Sequence, residues 1–93
     1  MINETLRAAV LTFGANAQKL KAVEEMAELQ KELCKDLNGQ GSLANIAEEM
    51  ADVEIMLEQL KLIYSNTALV YAYRKQKIQR LQGRITEARD GAR

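Results

Sequence analysis

Two long segments without helix-breaking residues restrict what this chain can fold into. Residues 17–37 and 43–64 contain neither proline nor glycine, and apolar side chains recur in them at helical spacing. The five residues between them, Asn-Gly-Gln-Gly-Ser, have the composition of a turn, and Ser42 can cap the helix that follows. The sequence therefore predicts two long helices, at about 17–37 and 43–64, joined by a short loop.

Further helical patterns lie on both sides of this pair. Residues 3–13 predict an opening helix, with Asn16 as a cap for the next one, and residues 68–88 predict a basic last helix. No segment alternates between apolar and polar residues as a strand does. We therefore expect a single all-α domain over residues 1–93, with four antiparallel helices in a compact arrangement.

Size and composition add three expectations. A domain of 93 residues buries only a modest share of its surface, so we expect it to assemble as an oligomer. The single cysteine, Cys34, cannot form an internal disulfide, which agrees with a reducing cytoplasm. No signal peptide is indicated, and no apolar run approaches the roughly 20 residues of a membrane span. The sequence thus predicts a cytoplasmic protein with no membrane partner.

The charge is distributed unevenly although its sum is zero. Residues 1–70 contain 6 Lys and Arg against 11 Asp and Glu, a net charge of −5. Residues 71–93 contain 7 against 2, a net charge of +5. The basic end could pair with the acidic body, with a partner subunit or with an anionic ligand. Because no nucleic-acid-binding motif accompanies it, we do not expect a nucleic acid partner.

Two similar acidic motifs occupy the middle of the two long helices. The first reads Glu-Glu-Met-Ala-Glu at residues 24–28, and the second reads Glu-Glu-Met-Ala-Asp at residues 48–52. Carboxylates three residues apart share one helix face. At roughly 100° per residue, the first motif borders the apolar stripe of its helix. In the second, Glu49 falls at the centre of the apolar face and Asp52 at its margin.

A carboxylate aimed at the core, as expected for Glu49, needs a cation. Lys35 and Lys61, the nearest basic residues in sequence, belong to the outward polar sides of their helices. If the two acidic faces meet, four or more carboxylates gather, and Mg²⁺ neutralises such a group with oxygen ligands and retained waters. The alternative is an ion-pair network with basic residues of the last helix.

The absence of histidine excludes several other kinds of site. Ferritin-like di-iron centres and histidine-ligated zinc need that residue, and serine or cysteine triads lack their base. The glycines form neither a P-loop nor a dinucleotide-binding fingerprint. Carboxylate chemistry with Mg²⁺ is the class that remains.

The order and spacing of the acidic motifs resemble those of the MazG-like all-α nucleoside triphosphate pyrophosphohydrolases. Glu25-Met26-Ala27-Glu28 is followed, after 20 residues, by Glu49-Met50-Ala51-Asp52. The chain is most similar to the short single-domain phage and prophage members. The resemblance covers about residues 13–64, with weaker likeness at 73–81.

This resemblance implies Mg²⁺-dependent cleavage of a nucleoside or deoxynucleoside triphosphate to the monophosphate and pyrophosphate, with Mn²⁺ as a possible substitute. It also implies a homodimer or homotetramer. Four carboxylates would be the metal ligands: Glu25, Glu28, Glu49 and Asp52. Glu24 and Glu48 are both candidates for the general base. Three basic residues could contact phosphates or form a solvated face: Lys75, Lys77 and Arg80.

Other functions stay open at this point. A member of the same family could act on a modified nucleotide or a phosphoribosyl-ATP-like compound, or could have lost turnover. From a different class, the chain could be a non-catalytic helical module that self-associates and keeps the acidic motifs for ion pairing or metal binding. The few aromatic residues are expected to pack, which leaves base specificity open: Phe13, Tyr64, Tyr71 and Tyr73.

Overall fold

The computed structural model describes residues 2–91, and their regular structure is entirely helical. The helices are α1 (Ile2–Phe13), α2 (Ala15–Leu37), α3 (Leu43–Tyr64) and α4 (Thr67–Gly91). The all-α prediction is confirmed, and each helix lies where the sequence pattern placed it. None of these helices combines the length and the apolar character that crossing a membrane requires.

The connection between α1 and α2 is shorter than expected. Gly14 alone separates the helices, at a φ of 93°, a left-handed conformation that favours glycine. Its N–H donates to the carbonyl of Val10 at 2.9 Å, so the last turn of α1 runs into the junction. The prediction that Asn16 caps α2 is wrong, because the helix already begins at Ala15 and Asn16 lies in its first turn.

The loop between α2 and α3 is tight. The N–H of Gly39, whose φ is 77°, donates to the carbonyl of Asp36 at 2.9 Å. A Cβ atom on Gly41 would lie 2.6 Å from the Cα of Asp36, so this position has room only for glycine. Ser42 caps α3 as predicted, since its Oγ accepts a hydrogen bond from the Asn45 N–H at 3.2 Å. The loop leaves α2 and α3 packed against each other.

The core lies among the first three helices. The most extensive helix contact is between α2 and α3, and α1 packs against both. The buried apolar side chains are few, one from each helix: Leu6, Ala22 and Met56. Three polar residues are buried as deeply: Gln18, Glu32 and Gln59. This small core, rich in polar groups, surrounds the region where the acidic motifs meet.

Helix α4 does not join this core. Its residues are all at least partly exposed, and within the described chain it packs only against α3. The radius of gyration is 17.0 Å, well above the roughly 12 Å of a compact chain of this length. The expected compact packing of all four helices is therefore not found within one chain. Basic residues interrupt the apolar face of α4, among them Arg74, Lys77 and Arg84. Burying this face in the small core would therefore remove charged side chains from water, which is costly.

Candidate metal centre

Three carboxylates from the two acidic motifs meet between α2 and α3. Glu25, Glu49 and Asp52 each offer one oxygen, and these oxygens lie within 4.8 Å of one another. Glu49 and Asp52 share a face of α3 because they are three residues apart, and Glu25 faces them from α2. Carboxylate oxygens gathered in this way are the ligands that hard divalent cations prefer. We refer to these three residues as the carboxylate cluster.

Glu49 is the least satisfied member of the cluster. Its Oε2 atom is buried and accepts no hydrogen bond within the described part of the chain. The two lysines nearest in sequence pair elsewhere, Lys35 with Glu32 at 3.5 Å and Lys61 with Glu58 at 2.9 Å. Desolvation, followed by the negative charges of Asp52 and Glu25, raises the pKa of the Glu49 carboxyl. A buried, unpaired carboxylate oxygen is costly, and a cation would relieve that cost.

Glu25 lies between a cation and an acid. Its carboxylate accepts a hydrogen bond from Lys21 Nζ at 3.2 Å, an i, i+4 pair within α2. That hydrogen bond raises the pKa of Lys21. Desolvation raises the pKa of Asp52, and the negative charge of Glu25, together with a hydrogen bond that protonated Asp52 donates to it, adds to the effect. The Glu25 side chain is only 14% exposed, so the first acidic motif is not a freely solvated edge.

The other predicted acidic residues lie around the cluster. Glu28 is exposed and outside the group of three, although its charge adds to the desolvation that raises the pKa of Glu49. Glu48 is also exposed, and its charge raises the pKa of Glu49 and Asp52 beyond what desolvation does. Glu24 is exposed too. Both candidates for the general base therefore remain open to solvent.

An open pocket of about 420 Å³ adjoins the cluster. All three packed helices contribute to its lining: Ala9, Phe13, Gln18, Lys21, Glu25, Asp52, Ile55, Met56 and Gln59. Its volume is within the range of small-molecule sites, which combine apolar walls with a few polar groups. A ligand in this pocket would meet charged groups and apolar surface together.

Several residues of this pocket were not predicted as site residues. Gln18 and Gln59 are buried, at 9% and 4% exposure, and Lys21 lines the same pocket. Phe13, which was expected to pack, is 65% exposed. One sequence signal could have found the glutamines, because each is seven residues, or about two turns, from a cluster carboxylate on the same helix face.

The basic residues predicted to contact phosphates are not at this pocket. They are exposed on α4, and none of them lines the pocket: Lys75, Lys77 and Arg80. The start of α4 borders α3 beside Glu54 and Glu58, residues that do not line the pocket next to the cluster. Among residues 2–91 of one chain, Lys21 is therefore the basic side chain that the fold brings to the carboxylates.

The donor set fits a hard divalent cation. The cluster holds three carboxylates, and a buried oxygen of Glu49 has no hydrogen-bond partner among the described residues. The positive charge of Lys21 opposes the rise in the pKa of Asp52, but it is not among the causes that shift the pKa of Glu49. Mg²⁺ prefers oxygen ligands and keeps several waters, for which the adjoining pocket has room. Comparison with protein-family models, curated proteins and solved structures found no match to this chain.

The cluster predicts an unusual pH dependence of stability. The folded state raises the pKa of Glu49 and Asp52, so it binds protons more tightly than the unfolded chain, whose carboxyls titrate near pH 4. The stability that the folded state gains from this tighter proton binding is complete below about pH 4. It is lost as the pH rises through the raised pKa values of Glu49 and Asp52. We expect the metal-free protein to melt at a higher temperature at pH 5 than at pH 7. Calorimetry in EDTA tests this, and a melting temperature that falls from pH 7 to pH 5 would contradict it.

Proposed function

We propose that this protein is a Mg²⁺-dependent nucleoside triphosphate pyrophosphohydrolase of the MazG-like type. The observation that carries the proposal is the carboxylate cluster, with the orphaned Oε2 of Glu49, beside a pocket large enough for a nucleotide. The spacing of the two acidic motifs supports it independently. We place this activity in the cytoplasm, where its substrates are found.

Each residue then has a distinct part in the reaction. The cluster residues would hold Mg²⁺, with Glu28 as a fourth ligand, and the bound ion would supply charge neutralisation at the phosphates and activation of water. Glu24 or Glu48 would accept a proton from the attacking water, since both carboxylates belong to the acidic motifs and are exposed to solvent. Lys21 Nζ, next to Glu25, is placed to balance phosphate charge.

We further propose that the active form is a homodimer or homotetramer assembled through α4. Large apolar side chains remain exposed along this helix, among them Ile78, Leu81 and Ile85. Residues 71–93 carry a net charge of +5 and residues 1–70 carry −5, so α4 of one copy complements the body of another. In such an assembly, Lys75, Lys77 and Arg80 contact phosphates bound by a neighbouring copy.

A panel of triphosphates tests the activity. The purified protein should release pyrophosphate from at least one common nucleoside or deoxynucleoside triphosphate with Mg²⁺ or Mn²⁺, and release should stop in EDTA. A second panel with modified nucleotides and phosphoribosyl-ATP-like compounds separates a specialised member of the family from a general one. No pyrophosphate from either panel would overturn the proposal.

The alternative is a non-catalytic, self-associating helical module, and the observation that favours it is that no described residue of α4 is buried. In the absence of any substrate, titration with Mg²⁺ distinguishes the enzyme from a module that keeps the acidic motifs for ion pairing alone. A metal site stabilises the folded state by about 2.7 kcal/mol when the free ion is at 100 times its Kd. A module without a metal site shows no such gain in melting temperature.

A further inference from the structure

Gln59 is a buried polar residue without a partner. It is 4% exposed, and its carboxamide oxygen Oε1 is buried and accepts no hydrogen bond within the described residues. A buried acceptor without a partner destabilises the folded chain, so native proteins rarely keep one without a reason. Because Gln59 lines the pocket, rotation about its terminal bond would turn the amide toward whatever enters there.

A second carboxamide faces the same pocket from another helix. Gln18 of α2 is 9% exposed and lines the pocket as well. Gln18 precedes Glu25 by seven residues, and Gln59 follows Asp52 by seven. Seven residues advance a helix by roughly 10 Å. The two amides are therefore separated along their helices from the cluster carboxylates by roughly 10 Å, a distance that a sugar and a base could span.

We propose that Gln59, together with Gln18, forms a subsite for the base of the substrate, an inference that rests on the proposed function. A carboxamide has a donor beside an acceptor, and it forms paired hydrogen bonds with a heterocycle whose edge has the complementary order. The ligand is thus a nucleobase that donates a hydrogen bond to Gln59 Oε1 and accepts one from the amide nitrogen.

The rest of the pocket fits the faces of a planar ring. Ile55 and Met56 supply apolar surface, and Phe13 lines the pocket while remaining 65% exposed. An exposed aromatic ring at a nucleotide site stacks on any base, because every base has a π-face. Stacking therefore provides general affinity, and the two amides provide the hydrogen bonds that select a base edge.

The test compares Gln59→Leu with Gln30→Leu, the same change at an exposed position of α2. Calorimetric titrations in Mg²⁺ use non-hydrolysable triphosphate analogues of the four bases, and tripolyphosphate as a probe without a base. Gln59→Leu should weaken binding of the best analogue about tenfold and leave tripolyphosphate unchanged. It should not lower the melting temperature of the metal-free protein, because it removes an unpaired buried group. Gln30→Leu should change none of these values.

Two results would overturn the inference: unchanged binding of every analogue, or equal weakening of the analogues and tripolyphosphate. If neither kind of probe binds in Mg²⁺, the proposed function fails instead. The subsite is then tested with the four nucleosides alone, by NMR of the glutamine side-chain amides. Shifts at Gln59 with any nucleoside would support the subsite, and their absence with all four would overturn it.

Discussion

Replacing Glu49 with glutamine is expected to reduce pyrophosphate release by at least about 100-fold. The substitution keeps the size of the side chain but removes the charge with which it would hold Mg²⁺. In the metal-free protein at pH 7, the same change removes a desolvated carboxylate that is repelled by Asp52 and Glu25. We therefore expect a higher melting temperature in EDTA together with the loss of activity, measured by calorimetry and by pyrophosphate detection.

The matched control for this experiment is Glu58→Gln. Glu58 is on the same helix, is exposed, and pairs only locally with Lys61 at 2.9 Å. Loss of an exposed ion pair changes stability by less than about 1 kcal/mol, and activity should be retained. A Glu49→Gln variant that keeps wild-type turnover would show that this carboxylate is not a metal ligand. A large drop in its melting temperature in EDTA would contradict the electrostatic account of the cluster.

Replacing Leu81 with aspartate is expected to convert the proposed oligomer into monomers of 10.4 kDa. Leu81 is 52% exposed and lies within the apolar surface of α4 that includes Tyr73 and Ile78. A central apolar residue of an interface contributes about 2 kcal/mol or more, so association should weaken by at least about 30-fold. Light scattering coupled to size-exclusion chromatography measures the result.

Gln79→Asp is the control for this change. At roughly 100° per residue, Gln79 lies about 160° around α4 from Leu81, so it adds the same charge on the opposite side. This variant should assemble like the wild type. A wild-type protein that is monomeric at all concentrations would overturn assembly through α4, and the same holds for a Leu81→Asp variant that keeps its size.

Local features of the sequence predicted the helices and part of the site. The capping role of Ser42 was predictable because it depends on a hydrogen bond to a residue only three positions away, Asn45. The inward direction of Glu49 was predictable from the helical periodicity of α3. The prediction that Asn16 caps α2 was wrong because Gly14 alone connects the two helices, so α2 begins at Ala15, before Asn16. The periodicity of one helix does not contain this kind of information.

The parts that escaped prediction depend on contacts between helices. Gln18 and Gln59 share a helix face with the cluster carboxylates, but their burial depends on how α1 covers α2 and α3, which the pattern of one helix does not show. The placement of α4 is of the same kind. Its mixture of apolar and basic residues predicts a helix, but it does not determine which surface that helix contacts.

The small polar core has a consequence for how this protein can change over generations. Among the described residues only three apolar side chains are buried, so the fold has little stability to spare. The carboxylates that would serve the chemistry lie next to that core and repel one another without an ion. Substitutions of Glu49 or Asp52 that stabilise the ion-free chain would therefore remove function. Stabilising mutations that preserve function must lie at other positions.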